Sequence, residues 1–295
     1  MVAKKNIKVI RAKSAGFCWG VERAIDIARE FAASGNKTVF TDGPLIHNRQ
    51  MMEKLQAEGI HEVGDYQSKS ELHINQFQKQ DAVMVVRAHG ISPERRQYLK
   101  SLDMEFKDAT CPDVGIIAGK IRLHAKKGFE TIIFGDPKHP EVIGLLGYTE
   151  KKGHVIQSHE DITNLPPLGD KICMVSQSTM FTHEFLELSS YLKTLYPHVL
   201  IFDTICGATK ERQSDILTLV KEGCEAIIVI GGSHSANTIK LVTLSEAQGI
   251  PTFHIETIKD LDLIAISNYK TVGITAGAST PDFLITEVYE TLQSL

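Results

Sequence analysis

The chain repeats itself three times, and a cysteine marks each repeat. Cys18 lies in Ala-Gly-Phe-Cys-Trp-Gly-Val, Cys111 in Asp-Ala-Thr-Cys-Pro-Asp-Val and Cys206 in Asp-Thr-Ile-Cys-Gly-Ala-Thr. They are 93 and 95 residues apart in a chain of 295. Each follows a β-like run (Ile7 to Arg11, Met104 to Phe106, Val199 to Phe202) and precedes a helix-like run. Each helix-like run stops at a glycine 17 residues after its cysteine: Gly35, Gly128 and Gly223. Glycine just past the last turn is the usual helix stop.

The equivalence continues. An apolar run follows each glycine: Lys37 to Phe40, Thr131 to Phe134 and Ala226 to Ile230. Glycine turns at Gly43, Gly135 and Gly231 lead to His47, His139 and Ser235. A second apolar run (Ala82 to Val86, Ile172 to Val175, Thr271 to Ile274) ends in Arg87-Ala88-His89-Gly90, Ser176-Gln177-Ser178-Thr179 and Thr275-Ala276-Gly277-Ala278-Ser279. This pattern predicts an α/β protein of three similar units, spanning residues 1–105, 106–198 and 199–295, with the N-terminal strand able to pack with the third. Like units can close around a pseudo-threefold axis. Polar groups at the carboxyl ends of parallel strands point into a common crevice, so a shared central pocket is expected.

The net charge of −4 argues against bulk attraction to nucleic acid or an anionic membrane. No apolar run reaches the ~20 residues that span a bilayer, and Met1 to Lys5 lead toward a strand rather than a signal core. A cytoplasmic protein with reduced thiols is the expectation. Five cysteines, none at Cys-x-x-Cys spacing, do not make a disulfide framework.

Cys173 and Cys224 lie in or beside apolar strands and read as small hydrophobes. Cys18, Cys111 and Cys206 sit beside helix starts, which stabilise thiolates. Three thiolates suit zinc with a water, or an iron–sulfur cluster with one iron left open; the residues alone favour neither. His47, His89 and His139, in loops before helix starts, form with Ser235, Asn237 and Ser279 a set of donors suited to phosphate. Glu141, two residues from His139, is the best-placed general acid.

The segments Gly16-Phe17-Cys18-x-Gly20-Val21, Gly43-Pro44-x-Ile46-His47-Asn48, Ala88-His89-Gly90, Asp108-Ala109-Thr110-Cys111-Pro112, His139-Pro140-Glu141-Val142, Thr204-Ile205-Cys206-x-Ala208-Thr209 and Thr275-Ala276-Gly277-Ala278-Ser279-x-Pro281-Asp282 run from Ser14 to Asp282. Together they resemble the 4-hydroxy-3-methylbut-2-enyl diphosphate reductase family, whose reaction is the last of the methylerythritol phosphate route to isoprenoids. The resemblance implies a trefoil of three α/β units around one [4Fe–4S] cluster held by Cys18, Cys111 and Cys206, and so decides iron–sulfur over zinc. It implies that His47, His89, His139, Ser235, Asn237 and Ser279 hold the diphosphate, and that Glu141 supplies protons with Ser178 as relay. Single electrons from ferredoxin or flavodoxin would expel water, leaving an allyl anion that is protonated to isopentenyl or dimethylallyl diphosphate. Rival readings are a related reductase of another allylic substrate and a non-catalytic iron–sulfur sensor. The chain departs from the family at three places: Ser178 where threonine is usual, Ala236 where serine is usual in the phosphate loop, and Trp19 in place of a small residue. Loss of a donor at Ala236 is worth ~1.5–3 kcal/mol if that donor meets a charged phosphate.

Overall fold

The computed structural model describes residues 7–35, 37–64, 71, 72, 74, 79 and 81–295. Residues 1–5, and most of the polar stretch Asp65 to Gln80 expected as a loop or weak helix, lie outside the described residues. The described chain divides into two compact units. Of the described residues, one comprises those within 7–19, 47–51 and 207–295; the other comprises those within 20–46 and 52–206.

Three four-stranded sheets organise the chain, and every observed pairing is parallel. The first contains β2 (Thr38–Asp42), β3 (Ile60–Val63), β4 (Ala82–Val86) and β5 (Glu105–Asp108), in the order β3-β2-β4-β5. The second contains β6 (Glu130–Phe134), β7 (Gly153–Ile156), β8 (Ile172–Ser176) and β9 (Leu200–Ile201), in the order β7-β6-β8-β9. The third contains β10 (Ala226–Ile230), β11 (Thr252–Ile255), β12 (Thr271–Ala276) and the N-terminal β1 (Lys8–Arg11), in the order β1-β12-β10-β11. The same order recurs three times.

Strands β4, β8 and β10 are buried along their whole length. Continuous apolar runs are what a parallel sheet covered on both faces requires. In the second sheet, Ile132, Phe134 and Met174 pack in one cluster, and Ile133 and Val175 in another with Ile117, Ile121 and Val142. Side-chain alternation thus feeds two layers from one strand. The edge strands β3, β7 and β11, four residues each and only partly buried, were not foreseen in the sequence. Their half-buried sides and short length leave little periodicity to read.

The strand ahead of each cysteine pairs into the sheet of the preceding repeat. Strand β5 pairs with β4, β9 with β8 and β1 with β12. The chain therefore changes sheet at the cysteine, after residues 108 and 201.

Each cysteine is followed at once by a helix: α1 (Trp19–Ala33), α4 (Pro112–Ala125) and α8 (Gly207–Lys221). Gly35, Gly128 and Gly223 follow these helices with φ of 73°, 81° and 81°, the left-handed conformation in which glycine ends a helix. The second loop of each repeat starts a further helix: α2 (Arg49–Ala57), α5 (Pro140–Leu146) and α9 (Ala236–Glu246). Helix α3 (Pro93–Lys100) is capped by Ser92, whose side chain accepts from the Arg95 N–H. The short α6 (His159–Thr163) precedes α7 (Thr182–Leu195), and the short α10 (Leu263–Ile266) precedes α11 (Asp282–Ser294). Helix α11 has Pro281, not the preceding Thr280, at its cap. The buried Thr280 hydroxyl donates instead to Ile230 O at 2.9 Å. Among the described residues no helix is long and apolar enough to cross a membrane.

Candidate active site

The cysteines divide as the repeat predicts. Cys173 and Cys224 are buried. Burial pushes the Cys173 thiol up, and carries Cys224 to about 11. Cys18, Cys111 and Cys206 are half-exposed and form no disulfide. The same backbone bond fixes all three. Cys18 N–H donates to Ala278 O at 3.1 Å, Cys111 N–H to Ala88 O at 2.9 Å and Cys206 N–H to Ser178 O at 3.0 Å. Each acceptor lies in the loop after the neighbouring strand, β12, β4 or β8. The pairing of strands that changes sheet at the cysteine thus also holds it at a helix start. A side chain at Gly20 would place its Cβ 2.4 Å from Cys111 Sγ, so glycine is needed there for close approach to the sulfur.

In each sheet the strand order reverses between the two central strands, and ligands bind beside such a switch point. The loop after β6 leads to His139, the N-cap of α5, whose Nδ1 accepts from the Glu141 N–H at 3.2 Å. That bond makes Nε2 the protonated nitrogen of a neutral His139, a donor. The His139 ring meets His89 edge-on, centroids 5.7 Å apart. Glu141 is 2% exposed. Its Oε1 accepts from the Ser178 N–H and its Oε2 from the Ser178 hydroxyl, both at 2.6 Å. Burial raises its pKa to about 7, against the lowering effect of the two Ser178 bonds. Desolvation alone brings it to the midpoint near neutrality.

The loop after β10 gathers the third group. Ser235 caps α9, its Oγ accepting from Thr238 N–H at 3.4 Å. A hydroxyl that accepts there keeps its proton to donate. Asn237 is buried, and its Nδ2 has no hydrogen-bond partner among the described residues. A buried amide without a partner is costly, and an anionic ligand would relieve that cost. Ser279 donates its hydroxyl to His47 O at 3.1 Å, and a Cβ on Gly232 would lie 3.3 Å from the same oxygen. Thus the His47, Gly232 and Ser279 loops pack together. Asn48 caps α2 through its Oδ1, which accepts from Met51 N–H at 2.8 Å.

Several supporting residues escaped the sequence reading. Gln177 Oε1 accepts from Asp136 N–H at 3.0 Å, and a Cβ on Gly135 would come within 2.9 Å of Gln177, so Gln177 holds the turn ahead of His139. Glu256 accepts from Ser233 N–H at 2.9 Å and from its hydroxyl at 3.0 Å, steadying the glycine-rich loop. Arg212, 2% exposed, donates to Gly16 O at 2.5 Å, just ahead of Cys18. Arg87, 1% exposed, stands two residues before His89. Only Gln177 carried a signal, through its place between a strand end and Ser178; the others lie outside the repeated positions.

Residues 9–293 match the family described as LytB protein. A 4-hydroxy-3-methylbut-2-enyl diphosphate reductase of Opitutus terrae is 64% identical over 290 residues, covering 98% of this chain and 100% of the relative. The enzyme of that name from Alkaliphilus oremlandii is 38% identical over 291 residues, covering 98% and 100%. The solved reductase from Plasmodium falciparum superposes with a TM-score of 0.87 at 28% identity, covering 97% of this chain and 88% of that one. Three cysteines in one backbone setting, a match across nearly the whole chain and a shared fold lead to one conclusion: the chain belongs to the LytB family.

Proposed function

We propose that this chain reduces 4-hydroxy-3-methylbut-2-enyl diphosphate to isopentenyl and dimethylallyl diphosphate, the final step of the methylerythritol phosphate pathway. The observation that carries the reading is the threefold cysteine frame: three half-exposed thiols at helix starts, each fixed by the same backbone bond, while the other two are buried. This donor set, with the close approach that Gly20 permits at Cys111, fits a [4Fe–4S] cluster held by Cys18, Cys111 and Cys206, one per chain. When bound, the cluster supplies single-electron storage and one iron that no cysteine holds.

The other residues do the rest. His47, His89, His139, Ser235, Asn237 and Ser279 offer donors to the diphosphate, and the buried Asn237 amide gains the partner it lacks. Glu141 holds the proton. With its pKa near 7 it is both a donor and rechargeable at neutral pH. When Glu141 is protonated, Ser178 Oγ can accept from it and donate its own proton onward, so the 2.6 Å contact is a relay. Two electrons and two protons remove the hydroxyl as water. Ferredoxin or flavodoxin would bring the electrons. A non-catalytic sensor has no need of a buried acid poised near neutrality, which favours the enzyme.

Anaerobic reconstitution with iron and sulfide tests this. Four irons per chain are expected, with both products formed under a strong one-electron reductant. Cys18→Ser, Cys111→Ser and Cys206→Ser should each lose cluster and turnover, while Cys173→Ser keeps both. A full cluster in the Cys111→Ser protein would sink the assignment.

A further inference from the structure

A reductase needs its electrons from outside the chain. Helices α3, α4 and α5 enclose a cleft of about 810 Å³. Cys111, His89 and Glu141 line it. So do the cations Arg96, Lys100, Arg122 and Lys126, with Asp108 and Glu150 as further acids. Arg96 is paired with Asp108, but Lys100, Arg122 and Lys126 are exposed. This gathering of cations stands out on a chain whose net charge is −4.

Helix α4 forms one wall, and there it carries Gly115 and Gly119, one turn apart. A Cβ at either would meet nothing within 4 Å. Glycine inside a helix lowers its stability relative to alanine, and among the described residues no neighbour is close enough to require it at these places. Beside this stripe the same helix exposes Ile116 (56%) and Leu123 (53%). A bare helix flank, bordered by apolar side chains and rimmed by cations, lets a partner's backbone come close to Cys111.

We propose that this groove is the docking surface for an acidic one-electron carrier protein. The proposal rests on the reductase reading above. Charge complementarity selects an acidic partner and speeds encounter. A cluster takes electrons singly, which suits a one-electron protein and not a hydride donor. Each encounter oxidises the carrier by one electron. Two encounters and two protons balance the loss of the substrate hydroxyl as water. Small, salt-sensitive contacts are usual for such transient redox pairs.

The test uses the reconstituted protein and an acidic [2Fe–2S] ferredoxin as probe. Its dissociation constant is measured by surface plasmon resonance at low and high salt, for wild type, Lys100→Glu/Arg122→Glu/Lys126→Glu and Gly119→Phe. The triple variant should bind at least tenfold more weakly and lose most of its salt dependence. Gly119→Phe should bind several-fold more weakly without any change of charge. Carbodiimide should cross-link Lys100 or Lys126 of wild type to a ferredoxin carboxylate. Turnover driven by reduced methyl viologen, which needs no protein dock, should stay within about twofold in both variants. Equal ferredoxin binding by wild type and triple variant, or no binding by wild type, would overturn the proposal. So would a several-fold rise of the substrate's KM under viologen in the triple variant, since the groove would then be the substrate's entrance. Absence of viologen-driven turnover in wild type would instead overturn the reductase reading on which it stands.

Discussion

Helices α5 and α9 start alike and end up chemically opposed. Both follow a glycine turn after the first central strand of a sheet, and both are capped by a repeat-equivalent side chain, His139 or Ser235. The second helical residue is Glu141 in one and Asn237 in the other, and both are buried. Glu141 is fully engaged, each oxygen accepting from Ser178. Asn237 Nδ2 has no partner among the described residues. One position on one scaffold therefore serves as a proton store when satisfied from within, and as an anion receptor when left wanting. The divergence of the repeats is a division of labour set by who satisfies the buried group.

The strongest way to break this comparison is Glu141→Gln. It keeps shape and acceptor geometry but carries no transferable proton. Turnover should fall by ~10²–10⁴ while substrate binding persists, read as a substrate-induced change in the cluster's Mössbauer spectrum. Wild-type turnover would remove Glu141 from the mechanism.

The same variant sharpens the comparison through stability. Burial raises the Glu141 pKa from 4.5 to about 7. Between those values the folded protein holds a proton that the unfolded chain has released, so this contribution to stability declines as pH rises through that window. The full difference is about 3 kcal/mol. Glu141→Gln should thus gain stability over wild type between pH 5 and pH 8 in scanning calorimetry. A difference that stays flat with pH would mean that Glu141 titrates normally.

Asn237→Ala should raise KM about tenfold or more, the scale of a hydrogen bond to a charged group, and leave kcat within about twofold. It should not destabilise the substrate-free protein, because its Nδ2 has no partner among the described residues to lose. Marked destabilisation would place Asn237 in the scaffold instead. The smallest effect is expected of Ala236→Ser, which adds a hydroxyl between Ser235 and Asn237. KM should drop a few-fold; no change would mean that another donor already meets that phosphate oxygen.

What the sequence disclosed follows from what repeats. Gly35, Gly128 and Gly223 could be recognised as helix ends because a left-handed residue all but demands glycine. The three cysteines could be told from Cys173 and Cys224 by register alone. What stayed hidden depends on distant partners. Nothing local says that Glu105–Asp108 bonds back to β4 rather than forward to β6, since pairing is decided by packing across the chain. Arg212 looks like an ordinary surface cation on a helix until Gly16 O, far away in sequence, is found beneath it. The near-neutral pKa of Glu141 was likewise invisible, because burial is a property of the finished fold.

The pairing of β1 with β12 sets an order of manufacture. On the ribosome, β1 emerges first without its partner strand, while β2 to β5 follow and can associate with later segments still being made. Cys111 then finds its acceptor, Ala88, only a short stretch behind it, and Cys206 finds Ser178 in the same way. Cys18 leaves the ribosome before either, yet its partners are Ala278 and a strand at Thr271–Ala276. The first thiol to be synthesised is therefore the last to be seated, and it waits through nearly the entire translation of the chain. A frame in which all three thiols are seated is in consequence completed late.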